Sequence, residues 1–236
     1  MTPCSKPFER APLRSHAVTG TIALLGGGEF TPACTVDRGL LEAAGTDRVL
    51  VLPTGAAYEH PDRLVAAATE WFAGLGARAE GLPVLARPDA SRPELVEAVR
   101  ASRFTYLAGG SPMHLRSVLK ETPVWEAIVE AVNSGGVVAG AAAGAMVLTD
   151  PMVDPRGGAF TLGLGLLRGL AVIPAADQWS PERLHRTKEL SHGFLLAALR
   201  TGSALVHERD GRWSAHGEVA VFDGAEEVGF DRLPRL

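Results

Sequence analysis

The chain has 236 residues, of which 46% are hydrophobic, with a net charge of −4 and a pI near 6.0. That length suits one α/β domain or two small ones and supplies a large core. The mild acidity offers no basic stripe for nucleic acid or an anionic membrane surface, and no apolar run approaches the length of a membrane-spanning helix. Two cysteines, Cys4 and Cys34, are too few for a disulfide framework, so a cytoplasmic protein is expected.

Residues 1–18 carry Lys6, Arg10, Arg14 and three prolines without an apolar core, which predicts a flexible N-terminal arm rather than a signal peptide. Residues 19–236 are expected to form a single domain. Thr21-Ile-Ala-Leu-Leu25 reads as a buried strand, and Gly26-Gly-Gly28-Glu29 follows at once. The third glycine of a dinucleotide fingerprint is missing there, so a tight turn lining a pocket is preferred to nucleotide binding, and no cofactor is expected.

Helices are predicted over Val36 to Ala44, Pro61 to Leu75, Pro93 to Ser102, Met113 to Lys120 and Trp125 to Asn133. Strands are predicted over Arg48 to Pro53, Glu80 to Leu85 and Phe104 to Ala108. The strand ending at Ala108 runs into Gly109-Gly110-Ser111-Pro112, a turn whose free N–H groups suit an oxyanion or carboxylate. Beyond Asp150 to Gly158, a polar loop, Ala159 to Leu167 and Leu170 to Ile173 read as short strands. Ser180-Pro181 is a helix-start signal, and that helix is expected to reach about Ala198 with a break near His192-Gly193. Four short strands, with Asp210-Gly211 and Asp223-Gly224 as hairpin signals, close the chain. Strand–helix alternation through residue 150 predicts a mainly parallel sheet covered on both faces.

The chemistry-bearing stretch is Gly136-Val-Val-Ala-Gly-Ala-Ala-Ala-Gly-Ala-Met146. An apolar strand, two glycines four residues apart and a following helix make the frame of a nucleophile elbow, a strained turn that lifts its central side chain into a pocket. The frame is Gly140-Ala141-Ala142-Ala143-Gly144, and its central residue is Ala142, whose methyl group has no nucleophilic atom.

Five segments in order resemble the family of cyanophycinase and dipeptidase E: Leu24-Leu-Gly-Gly-Gly-Glu29, Leu107-Ala-Gly-Gly-Ser111, the elbow stretch, Gly163-Leu-Gly-Leu-Leu-Arg-Gly169 and Gly217-Glu-Val-Ala-Val-Phe222. The resemblance implies a three-layer α/β sandwich of the class I glutamine amidotransferase-like, flavodoxin-like kind. It also implies a serine peptidase ancestry with aspartyl-type peptides as substrates. Ala142 then stands at the nucleophile position and Ala175 at the histidine position, with Gln178 in a looser alignment. The implied oxyanion hole comes from Ala143 and the Gly109-Gly110 turn, and the pocket from Gly27, Gly28, Glu29, Ser111, Asp177 and Gln178.

A serine peptidase needs both hydroxyl and base, so the chain as written is expected to be inactive by that route while keeping a pocket for a peptide or small amino-acid-derived ligand. The alternatives are an engineered substitution at the nucleophile, or an enzyme using other residues of the same rim, drawn from Glu29, Tyr58, Glu59, His60, Ser111, His114, Asp177 and Gln178. A homodimer is left open, and a non-enzymatic interaction module is the contrasting class. Cys34 is expected to be a buried helix residue. The scattered histidines predict no metal site, and His207 and His216 read as a surface pair across a hairpin.

Overall fold

The computed structural model describes residues 19–235, so the expected N-terminal arm lies outside the described residues. In chain order, β1 (Thr21–Leu25), α1 (Asp37–Ala44), β2 (Arg48–Leu52), α2 (Pro61–Gly74), β3 (Arg78–Gly81), α3 (Pro93–Arg100), β4 (Phe104–Leu107), α4 (Pro112–Leu119), α5 (Pro123–Asn133), β5 (Val137–Ala141) and α6 (Ala143–Leu148) build the α/β body. Then come β6 (Thr149–Asp150), β7 (Met152–Val153), β8 (Phe160–Thr161), β9 (Leu167–Arg168), β10 (Leu170–Ile173), α7 (Pro181–Leu190), β11 (Leu195–Leu199), β12 (Ala204–His207), β13 (Trp213–His216), β14 (Val219–Asp223) and β15 (Glu226–Val228).

The main sheet runs β13-β12-β1-β5-β4-β2-β3, with the five strands from β1 to β3 parallel and the β12–β13 hairpin antiparallel at one edge. Its central strands β1, β5 and β4 are buried at every position, and β2 at all but Arg48, because helices cover both faces, whereas the edge strand β3 is partly exposed. In β1, Ala23 and Leu25 pack with Leu40, Ala68 and Phe72 of α1 and α2 on one side. Ile22 and Leu24 pack with Val96, Leu115 and Ile128 of α3, α4 and α5 on the other. This two-residue alternation is the strand pleat read directly from the core. A second sheet, β15-β14-β11-β10-β6-β9, carries the C-terminal half and joins the α3–α5 core. The architecture is the expected three-layer α/β fold with a mainly parallel central sheet.

Four local expectations are corrected. The third strand is Arg78–Gly81, not Glu80 to Leu85: it starts where Arg78 N donates to Asp47 O at 2.7 Å, and Pro83, with no N–H, ends the ladder after Leu82 N bonds Val51 O at 2.8 Å. The predicted strand over Ala159 to Leu167 is only Phe160–Thr161 and Leu167. Between them the backbone crosses β6 so closely that a Cβ on Gly163 would lie 1.7 Å from Thr149 O. The last helix stops at Leu190 rather than Ala198. Gly193, at φ 82°, turns the chain, and Leu195–Leu199, buried throughout, becomes β11, parallel to β10 and antiparallel to β14. His207 is not a surface residue: it is buried in β12, its ring 5.0 Å from that of Trp213.

Candidate active site at the elbow

The three loops that matter leave the C-terminal ends of β1, β5 and β4, which are neighbours in the middle of the sheet. Leu25 pairs with Ala141, and Leu107 with Gly140. The parallel register therefore delivers Gly26–Glu29, the Ala142 turn and Gly109–Ser111 to one rim, where open α/β sheets bind their ligands.

Ala142 sits at φ 47° and ψ −106°, a conformation that side-chain-bearing residues rarely adopt, between the end of β5 and the first residue of α6. Its N–H donates to Leu25 O at 3.0 Å. It is the one residue from Gly136 to Thr149 that is not buried, so the turn opens outward. The two frame glycines are sterically required. A Cβ on Gly140 would lie 2.5 Å from the carbonyl carbon of Gly144, and one on Gly144 would lie 2.1 Å from Leu107 O.

Two other glycines frame the Ala142 methyl. Cβ positions built on Gly27 and on Gly109 would each lie 3.6 Å from it. The Gly109 position is also 2.5 Å from Glu29 Oε1, which accepts the Gly109 N–H at 2.9 Å. The half-buried Glu29 carboxylate therefore stands beside the elbow. Of the amides expected to form the oxyanion hole, that of Gly109 is not free, being taken by Glu29, while the N–H groups of Gly110 and Ala143 donate to no protein acceptor among the described residues. Gly110, at φ 119°, is pressed against the Gly55 backbone, where a Cβ would lie 2.3 Å away.

Ala175 reaches this rim. It adopts the left-handed conformation at φ 47° and ψ 46°, is half-buried, and donates its N–H to Gly26 O at 2.8 Å. Asp177 and Gln178 are exposed, and both bond Thr201. Asp177 Oδ1 accepts the Thr201 N–H at 2.7 Å and its hydroxyl at 3.1 Å, and Gln178 Nε2 donates to Thr201 Oγ1 at 3.2 Å. The Thr201 amide and hydroxyl hold the Asp177 carboxyl below the ordinary carboxylate range. Thr201 itself packs on Gly28, whose Cβ would lie 3.1 Å from Thr201 Cγ2, and Gly202 N bonds Gly27 O at 3.0 Å. This turn between β11 and β12 is a wall of the rim that sequence reasoning missed. The positive-φ Gly202 marks a turn there but not its destination.

The side chains of the remaining candidates are engaged elsewhere or exposed. Ser111 caps α4, its Oγ accepting the His114 N–H at 3.3 Å, while the His114 ring Nε2 lies 2.9 Å from Leu85 O. His114 is therefore not directed at Ser111 as a base. Tyr58, Glu59 and His60 are exposed, Tyr58 stacking edge-on with the His114 ring at 4.9 Å. His185 is exposed on α7.

Cys34 is buried as expected but is not a helix residue: it lies in the loop before α1, beside Asp37 and Tyr106. Burial first, then the charges of Asp37 and Glu29, push its thiol up to about 12, which keeps it protonated and inert. No group of three or more His, Cys, Asp or Glu residues suited to a metal occurs among the described residues. A cavity of about 300 Å³ lined by Arg100, Arg103, Glu130 and Gly136 lies at the opposite, N-terminal edge of the strands and has no part in this rim.

A strained strand–turn–helix elbow beside a glycine turn with a free Gly110 amide is the arrangement found in hydrolases that use a nucleophile elbow and an oxyanion hole. The family model described as Peptidase family S51 matches residues 22–211, and the chain belongs to that family. Its structure is similar to that of a peptidase from an acI-B1 Actinobacterium, with 30% identity, a TM-score of 0.78 and coverage of 89% of this chain and 93% of that one. It shares its fold with a putative peptidase E protein from Listeria monocytogenes EGD-e, at 17% identity and a TM-score of 0.63 over 89% of this chain and 99% of that one. A search of curated proteins finds no match. Among the described residues, no helix is long and apolar enough to cross a membrane.

Proposed function

We propose that this peptidase homologue has lost the acyl-enzyme route and keeps the elbow as a peptide-binding recess. The observation that carries the reading is the pairing of an intact strained turn with a side chain that cannot attack: Ala142 holds the elbow conformation, and a second alanine, Ala175, stands at the rim position to which the family resemblance assigns the base. Transfer of an acyl group to residue 142 requires an oxygen or sulfur there, and a carbon–hydrogen bond supplies neither.

What remains is recognition. The N–H groups of Gly110 and Ala143 suit a peptide carbonyl oxygen, and Gly27, Gly28 and Thr201 wall the recess. Peptides with an N-terminal or β-linked aspartate are the ligands the family resemblance favours. Calorimetric titration of the unmodified protein with such dipeptides tests this: saturable binding, weakened by a bulky residue at Gly28, is expected, and absence of binding by every dipeptide contradicts it.

Loss of the covalent route at two positions has its own test. Ala142→Ser alone is expected to stay without serine-peptidase activity for want of the histidine. Full activity from that single change would favour the alternative, a serine peptidase disabled only at its nucleophile.

A further inference from the structure

From the geometry around Ala142 we infer that Glu29 is a general base that directs a water molecule onto a bound peptide carbonyl, giving slow hydrolysis without an acyl-enzyme. The inference rests on the proposal that a peptide carbonyl occupies the recess. The acid that the loop after β1 carries to the elbow is Glu29, whose carboxylate accepts the N–H of Gly109 in the neighbouring turn. A Cβ built on Gly109 would lie 3.6 Å from the Ala142 methyl carbon and 2.5 Å from Glu29 Oε1, so the carboxylate and the methyl both stand against the Gly109 α-carbon.

The carboxylate is anchored. Oε1 is held by the Gly109 N–H, and Oε2 accepts no protein hydrogen bond among the described residues. Gly109 has to be glycine for this arrangement, since a Cβ would strike Oε1. Asp177, the other acid of the rim, has its Oδ1 tied to Thr201.

The step balances within these groups. Water gives a proton to Glu29 Oε2 as its oxygen bonds the carbonyl carbon, and the resulting oxyanion is held by the Gly110 and Ala143 N–H groups. The carbon–nitrogen bond then breaks, and the Glu29 carboxyl returns the proton to the departing amine nitrogen. The products are a carboxylic acid and an amine, and Glu29 is regenerated. The base acts on water directly, so no nucleophile at residue 142 and no histidine is needed.

The experiment compares the unmodified protein with Glu29→Gln and Glu29→Asp, using an aspartyl-leucine dipeptide and measuring both its binding and the release of free leucine. Glu29→Gln keeps the shape and is expected to bind the dipeptide with similar affinity but to lose turnover by about 100-fold or more. Glu29→Asp keeps a carboxylate one methylene further away and is expected to fall between. If the glutamine variant fails to fold, the aspartate variant carries the comparison.

Equal turnover in the unmodified protein and the variants, or binding with no turnover at all in the unmodified protein, overturns this inference and leaves the binding proposal standing. Absence of binding by the unmodified protein overturns the binding proposal, and this inference with it.

Discussion

The N–H of Ala142 donates to the carbonyl of Leu25 at 3.0 Å, tying the strained turn to the end of the neighbouring central strand. With Gly140 and Gly144 packed against each other below it, the conformation is imposed from outside and persists although residue 142 has no attacking atom to present. An alanine at φ 47° and ψ −106° carries strain that glycine avoids. Ala142→Gly is therefore expected to stabilise the protein by about 1 kcal/mol, or roughly 2–4 °C in Tm for a chain of this length. Thermal unfolding of the two proteins checks it, and a lower Tm in the variant would mean the turn is not strained.

Gly144 meets Leu107 O rather than a flexible side chain, so α6 has no room to retreat without leaving β4. Gly144→Ala is expected to destabilise by about 2–3 kcal/mol or more through overpacking, read as a fall in the denaturant midpoint. A neutral result would show that α6 is not seated against the sheet as described.

Asp37 is buried in the first turn of α1, with Oδ2 accepting the Trp71 Nε1–H at 2.8 Å and Oδ1 unpartnered. Burial, helped by the charge of Glu29 and opposed by the Trp71 hydrogen bond, carries its carboxyl from 3.8 to about 7. The folded state thus holds a proton that the unfolded chain releases. Its contribution is fully present below about pH 4 and is lost as pH rises to about 7, a change on the order of 4 kcal/mol. Asp37→Asn keeps an acceptor for Trp71 and has no proton to lose. Relative to the unmodified protein, it is expected to gain stability steadily between pH 4 and 7 in denaturant unfolding at a series of pH values. A constant difference would contradict the buried-acid account.

His207 works in the opposite direction. Both ring nitrogens are buried without partners, and burial holds the imidazolium pKa below its ordinary 6.5 despite the nearby charges of Glu208 and Asp210. The neutral ring belongs to the fold, so stability is expected to fall as pH drops below about 6.5 and the unfolded chain takes up a proton. His207→Phe, which keeps an aromatic ring against Trp213, is expected to remove that part of the acid sensitivity. An unchanged acid limb would place the sensitivity elsewhere.

Much of the body was readable because its signals are local. Thr21–Leu25, Arg48–Leu52 and Val137–Ala141 are apolar after the leading Thr21 and Arg48, since helices cover both faces of the sheet, and each ends at a Gly, Pro or Ala turn on the ligand rim. The elbow was readable for a steric reason: the close approaches of Gly140 and Gly144 exclude any side chain, whatever stands between them. Leu195–Leu199 was not, because a five-residue apolar run after a helix fits another helical turn as well as a strand; only its pairing with Leu170–Ile173 and Val219–Asp223 decides. Thr201 beside Gly28 and Trp71 on Asp37 join residues far apart in the chain, and neither partner carries a motif. The burial of His207 likewise depends on what packs around the β12–β13 hairpin, not on its turn residues.

The central claim, an elbow that presents carbon and can be refitted, is tested most directly by labelling with a serine-reactive fluorophosphonate and locating the adduct by mass spectrometry. The account predicts no adduct on the unmodified protein and a single adduct at residue 142 in the Ala142→Ser, Ala175→His double variant. An adduct on the unmodified protein, at Ser111 or any other residue, would mean that its nucleophile lies elsewhere and would contradict the account.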